Sequence, residues 1–338
     1  DEIVGMLDLG KLSRKYLTDV VEGSGLVSHD RFKEILAGVS EDTSFGREFA
    51  IEQMFGSAGM GDGQFTSLYQ LAVHGEGAEQ RLACVDSERF RVLILNVESG
   101  EVVAVAGSGP GGGPGELSYP HAAAFNSRGE LYVSDSSNSR IQVFERNGKY
   151  LRAVGTRGSE KGQLWCPEGI SFTAAGDLLV ADKNNNRVQV LQEDGTFVRS
   201  VGCGKESFEP VSCCEAPDGS LVVVDRSCRV QVFDSEGRFV RRFASRGDGP
   251  GKLQSPMQVA VGAGGEIVVG DAYTVTVFTF EGKLIQRIPP TSISDAPNRP
   301  SYNSRGVCVD ADGCLFVSVS DCEVFDDKES VTNVVRLT

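Results

Sequence analysis

Few side chains in this 338-residue chain could do chemistry, and they are widely spaced. His29, His74 and His121 are its only histidines, the residues one would look for in a zinc centre with an open position for water. Nine cysteines form no CxxC pair. Most lie inside apolar runs, such as Cys84 in "RLACVD" and Cys308 in "GVCVD", where a small buried side chain is the simpler reading. "GSGPGGGPGELSYP" (107–120) suggests a phosphate loop but lacks the Gly-Lys-Ser/Thr ending and leads into a strand, so it is expected to be a connection. "GSGLVSHDRF" has the outline of the second half of an EF-hand loop. Calcium binding asks for an acidic residue at the first position and a Glu at the twelfth, which here are Val20 and Arg31.

The elements that must position these groups come from an internal repeat. "GELYVSDSSNSRIQVFERNGKYLRAVG" (129–155) recurs as "GDLLVADKNNNRVQVLQEDGTFVRSVG" (176–202), "GSLVVVDRSCRVQVFDSEGRFVRRFA" (219–244) and "GEIVVGDAYTVTVFTFEGKLIQRIP" (265–289), a period near 45 residues. Asp135, Asp182, Asp225 and Asp271 mark the register. "RNGK", "EDGT", "SEGR" and "FEGK" place Gly where hairpins need a positive φ, so successive strands are antiparallel neighbours. A short strand of small residues precedes each copy, giving four strands per unit. "LLVAD" and "LVVVD" are apolar at successive positions, which implies burial on both faces, and copies closing in a ring would supply it. A unit at 68–107 carries Asp86 and Arg91 in the same places. The last unit ends one strand short, and residues 49–56, "FAIEQMFG", are expected to complete it.

The formal net charge of −14 argues against a protein devoted to nucleic acid, and DNA binding is not expected. No apolar run approaches the roughly 18–20 residues of a membrane-spanning helix. The first residues lack a signal peptide's pattern and Asn-x-Ser/Thr sites are absent, so a cytoplasmic home is expected.

"CPEGISF" followed by "LLVADKNNNRVQVL", with "LYVSDSSNSRIQVF" one unit earlier, resembles the NHL repeat, whose arrays form six-bladed β-propellers. The resemblance implies an all-β, six-bladed propeller of four-stranded antiparallel blades over residues 49–338, with 49–56 closing the last blade. A degenerate EF-hand-like helical hairpin over 1–48 precedes it. One similar family, the peptidyl-hydroxyglycine lyases, holds zinc by histidines near the propeller axis. Here His29 lies outside the ring and His74 falls at the far end of its strand from His121, which places such a site out of reach.

The expectation is therefore a non-catalytic scaffold that binds a protein partner through its loop face, without metal or cofactor. Basic residues gather on that face over the middle blades: Arg140, Arg157, Lys161, Lys183, Arg187, Lys205, Arg226 and Arg229. The contact residues expected are His121, Asn138, Lys183, Asn185, Arg226 and Tyr273, with the acidic insertion at Asp326 and Asp327. The Asp–Arg pairs repeat, which marks them as braces of the loops. RNA binding on the same basic face is the alternative, and a propeller enzyme of lyase or hydrolase type the third reading.

Overall fold

Residues 51–59, 61, 63–202, 208–272, 274–288, 302–303, 305–321 and 332–337 are described by a computed structural model of the chain. The hairpin predicted over 1–48 lies outside these residues, as do Tyr273, Asp326 and Asp327. Among the described residues no helix is long and apolar enough to cross a membrane.

Six antiparallel sheets form the blades of a propeller. Blade 2 is representative: Pro120–Phe125 is innermost, followed outward by Leu131–Asp135, Arg140–Phe144 and Tyr150–Val154. Blades 1, 3, 4 and 5 begin with Leu68–His74, Pro167–Phe172, Pro210–Glu215 and Pro256–Val261 and repeat the same order. In blade 6 the inner strand is short, Val307–Val309, and pairs with Leu315–Asp321, which pairs in turn with Thr332–Leu337. Ile51–Phe55 then adds antiparallel to Thr332–Leu337 as the outermost strand, Phe55 opposite Val334. One blade thus takes strands from both ends of the ring. Phe55 is fully buried there, its ring 6.2 Å from that of Phe316.

The unbroken apolar runs are explained by packing between blades. In Leu178–Asp182, Leu178 and Val180 join a cluster with Tyr132 and Ile141 of blade 2, while Leu179 and Ala181 join Leu221 and Val223 of blade 4. A strand whose two faces each meet a neighbouring blade has no solvent face to mark with polar residues.

The repeat aspartates work as hubs. Asp182 is wholly buried and accepts hydrogen bonds from Trp165 N (2.7 Å), Asn185 Nδ2 (2.9 Å), Arg187 Nε (2.8 Å) and Gln189 Nε2 (3.0 Å). Asp135 repeats this with Ser118 N, Asn138, Arg140 and Gln142. These two hubs fix the chain two residues ahead of the inner strand, and therefore where that strand enters the axis.

Around the axis the inner strands approach closely beneath this entry level. A Cβ on Gly169 would stand 2.6 Å from Ser212 Cα, and one on Gly306 would stand 2.4 Å from Tyr69 O. The blade 6 sector is bridged by Gln258 of blade 5. Its Oε1 accepts from Leu71 N (2.9 Å) and Val307 N (3.0 Å), and its Nε2 donates to Leu71 O (2.7 Å). One buried amide so joins the inner strands of blades 5, 6 and 1.

Candidate active site at the mouth of the ring

Inner-strand register defines a circle of equivalent residues. Leu68, Pro120, Pro167, Pro210 and Pro256 each pair with the repeat aspartate of their blade. The next residues are Tyr69, His121, Glu168, Val211 and Met257. Arg305 takes the same place in blade 6, because Gly306 N bonds Ser318 Oγ as Ala122 N bonds Ser134 Oγ. These six side chains surround the axis at the face that carries the connections between blades.

Backbone strain marks the entry to two of these positions. Tyr119 (φ 46°) and Cys166 (φ 55°) are left-handed non-glycine residues directly before Pro120 and Pro167. Such a conformation costs about 1–3 kcal/mol and persists only where its surroundings impose it. Here the Asp135–Ser118 and Asp182–Trp165 hydrogen bonds do so.

Four neighbouring positions form a polar arc. The Arg305 guanidinium lies 4.8 Å from the Tyr69 ring centroid, and the Tyr69 ring meets the His121 imidazole edge-on at 4.8 Å. Glu168, only 1% exposed, accepts from Lys183 Nζ (2.7 Å) and Arg226 Nη2 (3.1 Å), both on Oε1. Its Oε2 is buried and has no hydrogen-bond partner. The pairing of Pro167 with Asp182 creates the first of these contacts, since Glu168 follows one residue and Lys183 the other.

Electrostatics set the state of His121. Burial pushes its pKa below 6.5; Glu168 opposes that, while Lys183, Arg226 and Arg305 add to it. The imidazole is therefore neutral at neutral pH and able to accept a proton. Cys166, close by, is held as the thiol because burial raises its pKa above 9.0, so it is a poor nucleophile. His74 stands at the opposite face, stacked on Phe125 at 5.4 Å. Among the described residues no group of three or more His, Cys, Asp or Glu side chains could hold a metal ion.

Of the contact residues expected from sequence, His121, Lys183 and Arg226 meet at this mouth. Asn138 and Asn185 turn inward: their amides bond Gly111 O (2.7 Å) and Gly158 O (2.8 Å) as well as the hub aspartates. Much of the basic face is internally paired too. Arg140, Arg187 and Arg229 bind Asp135, Asp182 and Asp225, and Lys183 and Arg226 share Glu168. Tyr69, Glu168 and Arg305 were missed. A column-by-column comparison of the repeats exposes them, because the residue after the one that opens the inner strand changes character from blade to blade.

The fold and this mouth define a six-bladed β-propeller, and residues 117–144 and 164–191 match the family model of the NHL repeat. A search of curated proteins returned no match. Among solved structures the chain is similar to a gluconolactonase from Xanthomonas campestris, with a TM-score of 0.59 at 19% identity over 81% of this chain and 86% of that one. It is similar to virginiamycin B lyase from Staphylococcus aureus, with a TM-score of 0.55 at 12% identity over 86% of this chain and 99% of that one. A chain of a nidogen/laminin complex gives 0.53 at 19% identity, covering 66% and 80%. At such identities the likeness is one of fold.

These structures correct the expectation of a non-catalytic scaffold. Two of the three are enzymes built on the same ring, so a propeller of this form gives no ground for a rim in place of a reaction centre. The count of three histidines bears only on zinc held by three of them and leaves other chemistry open.

Proposed function

We propose that the chain is a propeller enzyme of lyase or hydrolase type that cleaves the C–O bond of an ester or lactone at the axial mouth. The observation that carries this reading is the meeting, on one arc, of a neutral imidazole with the Glu168–Lys183–Arg226 cluster and Arg305. A neutral base takes the proton, and nearby cations stabilise the negative charge that develops on the carbonyl oxygen. In the hydrolytic form His121 removes a proton from water as its oxygen attacks the carbonyl carbon, then returns it to the departing alkoxide. In the lyase form the proton comes from carbon, and the C–O bond breaks as a double bond forms. Glu168 is a positioning residue, holding Lys183 and Arg226 at the mouth. The names gluconolactonase and virginiamycin B lyase, carried by enzymes of similar fold, support both forms.

The test is turnover of a panel of lactones and activated esters in ¹⁸O-labelled water. Label in the acid product marks hydrolysis, and an unsaturated product without label marks elimination. His121→Gln should lower kcat about 10²–10⁴-fold. A wild-type chain that accelerates neither reaction over buffer, or a His121→Gln variant with undiminished kcat, would refute the reading.

A further inference from the structure

We infer that the mouth binds a molecule carrying a carboxylate, seated on Arg305, with an apolar body lying over the half-buried Met257. Only the conversion of that molecule, and not its binding, rests on the enzymatic reading above. The six axial positions divide by character. Arg305, Tyr69, His121 and Glu168 occupy consecutive blades on one side, while on the other blade 5 supplies the half-buried Met257, which offers apolar surface, and blade 4 supplies Val211, which at 2% exposure only backs it. A ligand centred on the axis meets charge along one flank and hydrocarbon along the other.

Arg305 is the cation with capacity to spare. Lys183 and Arg226 are already drawn to Glu168. Arg305 is half-buried, lies over the Tyr69 ring and, among the described residues, makes one long bond, 3.4 Å from Nη1 to Ser67 Oγ. Among the described residues no carboxylate comes within ion-pair distance of it. A guanidinium partly withdrawn from water, with most of its fork of donors uncommitted among the described residues, matches a planar carboxylate in shape and charge. Phosphate fits less well, because it has no apolar body to cover Met257 and forgoes that part of the contact. Met257 adds an adaptable thioether chain to the apolar flank. Trp165 and Tyr119, 44% and 54% exposed, stand beside the mouth in the segments that lead into blades 3 and 2.

Isothermal titration calorimetry on the full chain tests this with phenylacetate, its neutral isostere phenylacetamide, and inorganic phosphate. Phenylacetate should bind, phenylacetamide at least about 10-fold more weakly, and phosphate more weakly than phenylacetate. Arg305→Gln should weaken phenylacetate by about 10- to 100-fold, the range expected for loss of a charge-assisted pair. Arg305→Lys should retain part of the affinity, and comparing melting temperatures of the two variants separates lost binding from lost folding. Equal affinity for acid and amide, phosphate bound more tightly than phenylacetate, no phenylacetate binding up to millimolar concentration, or a folded Arg305→Gln variant with unchanged affinity would each overturn the inference. Arg305-dependent binding by a chain that turns over no ester would count against the enzymatic reading alone. Ester turnover that neither phenylacetate nor Arg305→Gln affects would count against this site alone.

Discussion

Replacing Gln258 by Ala should be among the most damaging single changes in the ring, although it removes no charge and little apolar surface. Its amide satisfies two backbone N–H groups and one carbonyl, on Leu71 and Val307, in a region where Gln258 itself is only 8% exposed. Truncation orphans all three. A buried polar group left without a partner costs about 1–3 kcal/mol, and partial relaxation brings the expected total to about 3–5 kcal/mol. Against the roughly 5–15 kcal/mol by which domains are usually stable, that is a large fraction. Gln70→Ala is the internal control: among the described residues Gln70 joins blades 1 and 5 by one bond, Nε2 to Met257 O at 2.7 Å, and its loss should cost about 1 kcal/mol. Urea unfolding followed by circular dichroism measures both, with an unchanged m-value required for the comparison. The residues bonded by Gln258 lie two positions from Tyr69 and Arg305, so the variant should also weaken phenylacetate binding. A Gln258→Ala chain destabilised by less than about 1 kcal/mol would refute the picture of an amide clasp across the sixth blade.

The closing strand and the histidines offer two further tests. Phe55→Ala removes a ring packed in the blade 6 core beside Phe316 and should cost about 3–5 kcal/mol by urea unfolding; an unchanged midpoint would show that Ile51–Phe55 does not seal the ring in solution. His121 and His74 both have pKa values depressed below 6.5, chiefly by burial. The unfolded chain therefore takes up these protons at a higher pH than the folded one. Their contribution to stability is fully present above pH 6.5 and is lost as the pH falls towards the folded values. Urea midpoints measured from pH 7.5 down to about 5.5 should decline in the wild type and flatten in the His74→Gln, His121→Gln double variant. The acid limb of kcat/KM should lie below 6.5 and follow His121 alone, and a limb that moves with His74→Gln would contradict that assignment.

Sequence by itself determined the blades. The Gly-bearing turns, the aspartates at the ends of the second strands and the doubly buried runs such as "LLVAD" are local signals, since hairpin geometry and strand packing act over a few residues. They defined the repeat, the antiparallel order and the bracing role of the Asp–Arg pairs. Tertiary structure decided the site. Tyr69, His121, Glu168, Val211, Met257 and Arg305 each come from a different blade and share only a register position, so no motif spacing announces them. Their mutual distances are created when the ring closes. Asn138 and Lys183 show the same limit: both sit in polar loops, yet one amide is spent inside its blade while the other side chain reaches the axis, a difference set by what the neighbouring inner strand presents. Glu168 is that presenting residue, and it became visible only when the pairing of Pro167 with Asp182 laid it beside Lys183.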